Sequence, residues 1–315
     1  MSISPKPRKD MASGASNLWR QISRNRGLYL LVLPLVIYFG VFYYAPLYGL
    51  QIAFKDFKPV LGITGSQWVG LKHLSKFLNS FSFESLLRNT LMLSLYGLVV
   101  NFPLAILLAL VIHYIPGLRY KKLVQTATYA PYFVSTVVLV GMLFIFFAPE
   151  SGMVNKLIVA LGGTASDFVG SAQLFPHMYV WSGVWQRIGW NSIIYIAALT
   201  AVSPDLHEAA TVDGASKLQR VWHVDFPAIL PTAVIMLILD SGRIMSVGYE
   251  KVYLMQTSSN MLTSEIISTY VYKIGLQNAQ YSYASAIGFF NNVVNCVLLV
   301  IVNRVANRLS GSGLW

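Results

Sequence analysis

Six stretches of mostly apolar residues, each about twenty long or longer and bounded by charge or turn-forming residues, leave this chain few folds open to it. A helix rises 1.5 Å per residue, so roughly 20 residues cross about 30 Å of hydrocarbon. The stretches cover residues 28–53, 89–114, 123–147, 175–202, 229–247 and 284–305. The expected fold is all-α, a polytopic transmembrane bundle of six spans. Composition agrees, since 55% of the 315 residues are apolar and 11% charged, too little polar surface to coat a soluble globule of this size.

The charge excludes one class and orients another. A net charge of +11 suits a nucleic-acid binder only if it forms a stripe on a hydrated domain, and here the basic residues flank apolar segments. Short cytoplasmic loops retain Lys and Arg. Lys6, Arg8, Lys9, Arg20, Arg24 and Arg26 precede the first span; Arg119, Lys121 and Lys122 follow the second; Lys217 and Arg220 follow the fourth; Arg304 and Arg308 close the last. Both termini are therefore expected in the cytoplasm, with tails over 1–26 and 310–315 around a membrane domain over 27–309. Lys55, Lys58, Lys72 and Lys76 depart from the rule in the first outer loop. The first span reads as a retained anchor, because its apolar stretch exceeds the roughly 7–15 residues of a signal-peptide core and no A-x-A-like site follows. The single cysteine, Cys296, lies in an apolar run, which rules out an internal disulfide or thiolate metal site.

Outer segments 54–86, around Trp68 and Phe77, and 155–161, an expected short amphipathic helix, offer surfaces for an external partner or simply cap helix ends at the interface.

The loop between the fourth and fifth spans is the most informative segment. Ser203 suits an N-cap, Pro204 the first helical position, and Asp205 and Glu208 the positive end of the dipole. Gly214 supplies a left-handed stop, and Ser216 caps a second short helix that Pro227 is expected to end. Leu206, Ala209 and Ala210, then Leu218, Val221 and Trp222, fall at helical spacing and give each helix a small apolar face ringed by Glu208, Lys217 and Arg220. Such a ridge fits a docking knob. An amphipathic connector lying on headgroups has the same pattern.

Glu208-Ala209-Ala210, three residues, Gly214, nine residues, Val224, one residue, Phe226-Pro227 resembles the EAA signature of binding-protein-dependent ABC importers, EAA-x3-G-x9-I-x-L-P, with two apolar replacements. Arg24-Asn25-Arg26, Pro34, Tyr44-Ala45-Pro46, Ala53-Phe54 and Asn89-Thr90 extend the likeness to sugar-importer permeases similar to the maltose permease, and the Asp213-Gly214-Ala215 version of the loop is usual in that group. The branch suggested is the one for complex oligosaccharides, and the likeness covers most of the chain from about residue 24.

The resemblance implies a type I ABC importer permease, multi-pass in the cytoplasmic membrane. Its implied partners are a second permease, a cytoplasmic ATPase dimer, an extracellular solute-binding protein, an oligosaccharide and membrane lipid, and no nucleic acid. Glu208, Ala209, Ala210, Asp213, Gly214 and Pro227 would form the ATPase-coupling loop. No cofactor is expected on this chain, ATP and Mg belonging to the partner ATPase. The sequence contains no G-x-x-x-x-G-K-[ST], H-E-x-x-H or G-x-S-x-G, so hydrolysis is expected elsewhere.

Polar groups inside spans are costly and face cavities or other helices, which makes Arg187, Asn191, Asp240, Arg243, Asn291, Asn292 and Asn295 candidates for the substrate path. Trp181, Trp185 and Trp190 offer sugars aromatic faces. Each has a plainer reading: Asp240 and Arg243 as a neutralising i, i+3 pair, the asparagines as bonds to the partner permease, the tryptophans as interfacial anchors. Two alternatives stay open. A permease for a non-sugar solute keeps the loop and changes the cavity, and an ion-coupled secondary transporter leaves the loop unexplained and the usual internal repeat missing.

Overall fold

The computed structural model describes residues 24–311 and 313–314. In chain order the helices are α1 (Arg26–Phe39), α2 (Gly62–Gly65), α3 (Lys72–Leu78), α4 (Phe83–Tyr114), α5 (Leu118–Tyr129), α6 (Thr136–Phe146), α7 (Met153–Ala160), α8 (Phe175–Thr200), α9 (Pro204–Val212), α10 (Lys217–Arg220), α11 (Phe226–Ser241), α12 (Tyr249–Met255), α13 (Met261–Ser264), α14 (Ile267–Tyr272) and α15 (Tyr281–Ser310). One antiparallel ribbon joins β1 (Lys55–Asp56) to β2 (Gln67–Trp68). The expected N-terminal tail lies outside the described residues except for residues 24–26, and the expected C-terminal tail is described only in part.

Among the described residues, four helical runs are long and apolar enough to cross a membrane: Arg26–Phe54, Phe83–Tyr114, Lys217–Ser241 and Tyr281–Arg308. A bent pair, Leu118–Phe133 with Thr136–Phe146, makes a fifth if it counts as one span. α8, at 26 residues, is about 39 Å long and has the length to cross, but Gln186, Arg187 and Asn191 dilute its apolar content.

Two segments differ from expectation for local reasons. The straight helix expected over 123–147 instead bends by 96°. Pro131 brings no N–H and disfavours helix in the residue before it, so α5 tightens into a 3-10 turn over Ala130–Phe133. Ser135 then caps α6 by accepting the Val138 N–H, and Gln186 of α8 donates to the freed Val134 carbonyl at 2.7 Å. The span expected over 229–247 begins earlier and ends sooner, because Lys217–Ser241 is one helical run. Pro227 does not stop it. It sits in the first turn of α11, where the missing donor matters least, and the π-helical segment Val221–Asp225 widens the backbone just ahead of it.

α4, α8 and α11 form the centre of the bundle. Ala105, Ala109 and Ile112 of α4 pack against Tyr195 and Leu199 of α8 and Ile229 and Ala233 of α11, small residues letting the backbones approach. A second core gathers Leu93, Val140, Phe175, Val252 and Met255. A third seals Phe77 and Leu86 against Met245, Ile267, Tyr283 and Ile287. Asn89 ties α4 to the turn after α13, donating to the Leu262 and Glu265 carbonyls at 2.9 and 3.0 Å, while Thr90 accepts the Ile267 N–H at 3.0 Å.

Gly189 marks the closest approach of α8 to α5, where a Cβ would overlap the Thr128 carbonyl. Gly189→Ala is expected to cost about 1–3 kcal/mol, the range for overpacking. Thermal unfolding of the detergent-solubilised chain checks this against Gly141→Ala, where a Cβ meets nothing within 4 Å and no comparable loss is expected.

The segments over 54–86 and 155–161 are built rather than slack. Phe77 is fully buried against Phe83, Tyr283 and Phe290, and Trp68 stacks on Phe54 at 5.7 Å. Asn155 anchors α7 by donating to the Phe147, Ala148 and Ser166 carbonyls and accepting the Ser166 N–H. Three of the four lysines that depart from the charge rule are engaged: Lys55 with the Ile63 carbonyl, Lys72 with Asp56, and Lys76 over the Tyr283 ring. The hydrogen bond from Lys72 holds the Asp56 carboxyl below its ordinary 3.8, so the pair persists as pH falls until that lowered value is crossed.

Candidate functional site

Two features stand at opposite ends of one helical run. The first is the loop over 203–227. Ser203 Oγ accepts the Asp205 N–H at 3.3 Å and Pro204 opens α9, as its sequence dictates. α9 closes in a Schellman motif: the Ala215 N–H returns to the Ala210 carbonyl at 2.9 Å and the Gly214 N–H to Thr211 at 3.1 Å, with Gly214 at φ +78°. Ser216 and Gln219 then form a reciprocal capping box that starts α10. Arg220 donates to Thr211 Oγ1 at 2.9 Å, a strut across the elbow.

Glu208, Ala209, Asp213, Gly214 and Pro227 are exposed and Ala210 is half-buried. Leu206, Val212, Leu218 and Trp222 stand exposed around them, an apolar ridge larger than a solvated connector needs. Beyond the elbow the chain runs without a break from Lys217 to Ser241, 25 residues or about 37 Å.

The second feature lies at the far end of that run. A cavity of about 350 Å³ opens between α4, α8, the end of α11 and α12. Arg187, Asn191, Asp240 and Arg243, singled out in the sequence, all line it. Lys251 and Glu250 join them from α12, giving three basic side chains against two carboxylates, with burial and then the nearby Arg187 pushing the Lys251 ammonium down to about 7. Lys251 is buried, donates to the Tyr179 carbonyl at 2.8 Å and rests 4.8 Å from that ring's centroid. α11 ends at Ser241, so Arg243 lies in the following turn, and no ion pair joins it to Asp240 among the described residues.

The remaining candidates sit elsewhere. Trp181 donates to Tyr96 Oη at 3.0 Å, Trp190 stacks on Tyr132 at 4.3 Å, and Trp185 is exposed on the same helix; none lines the cavity. Asn295 accepts the Met245 N–H and donates to Ser246 Oγ, both at 2.9 Å, fastening α15 to the turn after α11. Asn291 is half-buried and Asn292 exposed on α15, also outside the lining.

Residues 101–311 match the family described as binding-protein-dependent transport system inner membrane component. The chain belongs to that family. It is 41% identical to the polygalacturonan/rhamnogalacturonan transport system permease protein YteP of Bacillus subtilis strain 168, over 94% of this chain and 92% of the relative. It is 40% identical to protein LplB of the same organism, over 93% and 92%. Among solved structures, a bacterial ABC transporter involved in the import of the acidic polysaccharide alginate superposes with a TM-score of 0.87 at 37% identity, covering 93% of this chain and 99% of that one. A second, the alginate transporter in complex with alginate pentasaccharide-bound periplasmic protein, gives 0.87 at 36% identity, covering 94% and 99%. The fold of this inner-membrane component is thus that of a type I ABC permease.

Glu250 and Lys251 of this family member escaped the sequence reading. Their signal is two adjacent charges shortly after an apolar run, which reads as an ordinary loop until the chain folds back and brings α12 against α8.

Proposed function

We propose that this chain is the permease subunit of an ATP-driven importer of acidic oligosaccharides. Its six crossings are the four apolar helices, the bent α5–α6 pair and α8, with both termini cytoplasmic as the Lys and Arg distribution favours. A second permease completes the pathway, an external binding protein delivers the sugar, and an ATPase dimer, which carries ATP and Mg, receives the loop over 203–227. In the cleft of that ATPase, Glu208 makes a polar contact, Ala209 and Ala210 permit close approach, and the Asp213-Gly214-Ala215 elbow sets the angle of the lever. Hydrolysis belongs to that partner.

The observation that carries this reading is the unbroken run Lys217–Ser241, which starts at the exposed elbow and ends beside Asp240 in the cavity. A helix is stiff along its axis, so a displacement imposed at the loop is delivered at the cavity wall and rocks the bundle between inward-open and outward-open arrangements. The cavity's arginines, Arg187 and Arg243, supply the substrate class, joined by Lys251 where a bound carboxylate keeps it protonated. Carboxylates of uronate units form charge-assisted hydrogen bonds with Arg187, Arg243 and Lys251, in keeping with the acidic substrates in the names of the relatives.

Uptake into vesicles holding the assembled complex tests it, with labelled oligogalacturonate and a neutral oligosaccharide of equal length. The expected result is accumulation of the acidic sugar only with ATP and binding protein together. Uptake driven by an ion gradient without ATP contradicts the reading.

A further inference from the structure

Where α4, α9 and the root of α11 meet, three side chains from distant parts of the sequence converge: His113, His207 and Asp225. One ligand-type atom from each lies within 4.8 Å of the other two. Asp225 is fully buried, and His113 and His207 are half-buried. His113 Nδ1, His207 Nε2 and Asp225 Oδ1 are each buried without a hydrogen-bond partner. His207 Nε2 and Asp225 Oδ1 approach to 3.2 Å without the alignment of a hydrogen bond. Buried polar atoms without hydrogen bonds are costly, and the 3.2 Å His207–Asp225 approach offsets only part of that cost, so a fold that retains the three has a use for them.

We propose that these residues hold a divalent transition ion of the zinc type. Ligand atoms bound at about 2.0–2.1 Å in a tetrahedron stand about 3.3 Å apart, close to the His207–Asp225 separation. Two imidazoles and one carboxylate favour zinc, cobalt or nickel over magnesium or calcium, and leave a fourth position for water. Tyr114 supplies the outer support such sites need: its hydroxyl donates to Asp225 Oδ2 at 2.6 Å, which fixes the carboxylate and leaves Oδ1 for the ion. The nearby Arg220 guanidinium donates through Nη1 to Thr211, and its Nε is buried without a hydrogen-bond partner. The bound ion staples α9 to the end of α4 and to the start of the Lys217–Ser241 run. The site rests on the three ligands alone and stands whether or not the loop couples to an ATPase.

The test uses the full chain in its detergent-solubilised complex, stripped with chelator, nucleotide-free, and titrated with Co²⁺ as an optical probe and Zn²⁺ as competitor. The expected result is one equivalent per chain with the visible absorption of four-coordinate cobalt, displaced by Zn²⁺. His207→Gln, on the outer edge of the cluster, is expected to weaken binding roughly 100-fold or more, and Tyr114→Phe roughly 10-fold. Should Asp225→Asn fail to fold, the wild-type spectrum and His207→Gln still decide. No four-coordinate band in the wild type, or equal binding by wild type and His207→Gln, overturns the site and leaves the cluster an ion pair.

Discussion

Gly214→Val is expected to leave the chain in the membrane and its partner hydrolysing ATP, while binding-protein-dependent uptake falls by roughly tenfold or more. Gly214 sits at φ +78°, and a Cβ there would meet nothing within 4 Å, so the substitution acts through backbone conformation alone. A β-branched residue in the left-handed region costs about 1–3 kcal/mol, and each 1.4 kcal/mol is a factor of ten in the population of the native bend. The Schellman bonds from Gly214 and Ala215 are lost with it, and α10 no longer leaves α9 at the native angle. Asn tolerates the left-handed region, so Gly214→Asn should recover most of the uptake. Glu208→Lys is expected to reach the same phenotype by another route, reversing charge on the proposed docking face without touching the elbow. Sugar accumulated per ATP hydrolysed is the quantity to measure; normal uptake by both Gly214→Val and Glu208→Lys removes the coupling assignment.

Arg187→Glu is expected to abolish selection for acidic sugar. The change replaces one of the cavity's two arginines with a third carboxylate beside Asp240 and Glu250. Two unit charges about 5 Å apart interact by about 3 kcal/mol at an effective dielectric of 20, so turning attraction into repulsion amounts to 100-fold or more, on the order of what initial uptake rates can resolve. A neutral oligosaccharide of equal length should lose far less, and Arg187→Gln should fall between. Equal losses for acidic and neutral sugars would show that Arg187 acts on the fold or the gate instead of on substrate charge.

What could be read from the chain alone follows from how local each cause is. The six apolar stretches fall mostly on helices because hydropathy over twenty residues is a local sum, the chief exceptions being the break at 134–135 and the residues after Ser241. Ser203, Pro204, Gly214 and Ser216 act within a turn of themselves, and the helix starts and the elbow they specify all form. The bend after α5 depends on Gln186, distant in sequence, to satisfy the Val134 carbonyl, so Pro131 alone did not announce it. Pro227, read as the end of the short helix that Ser216 caps, is a stop signal, and the π-helical turn before it is what lets the helix pass. The cavity was half legible: Arg187, Asn191, Asp240 and Arg243 drew notice as polar groups in apolar runs, whereas Glu250 and Lys251 became part of it only through chain reversal. The meeting of His113, His207 and Asp225 depends on three elements packing together, which no spacing in the sequence encodes.

If the loop over 203–227 is a cytoplasmic lever seated on an ATPase, site-directed cross-linking will catch it there. Cys296 is the only cysteine in the chain, so a Cys296→Ser background carrying Ala209→Cys presents one thiol at the exposed docking face. In the assembled complex this thiol should cross-link to the ATPase subunit, and in membranes without that subunit an impermeant maleimide should reach it only in inverted vesicles. Labelling from the outside of intact cells, or no cross-link in a complex that transports sugar, would rule out a cytoplasmic lever.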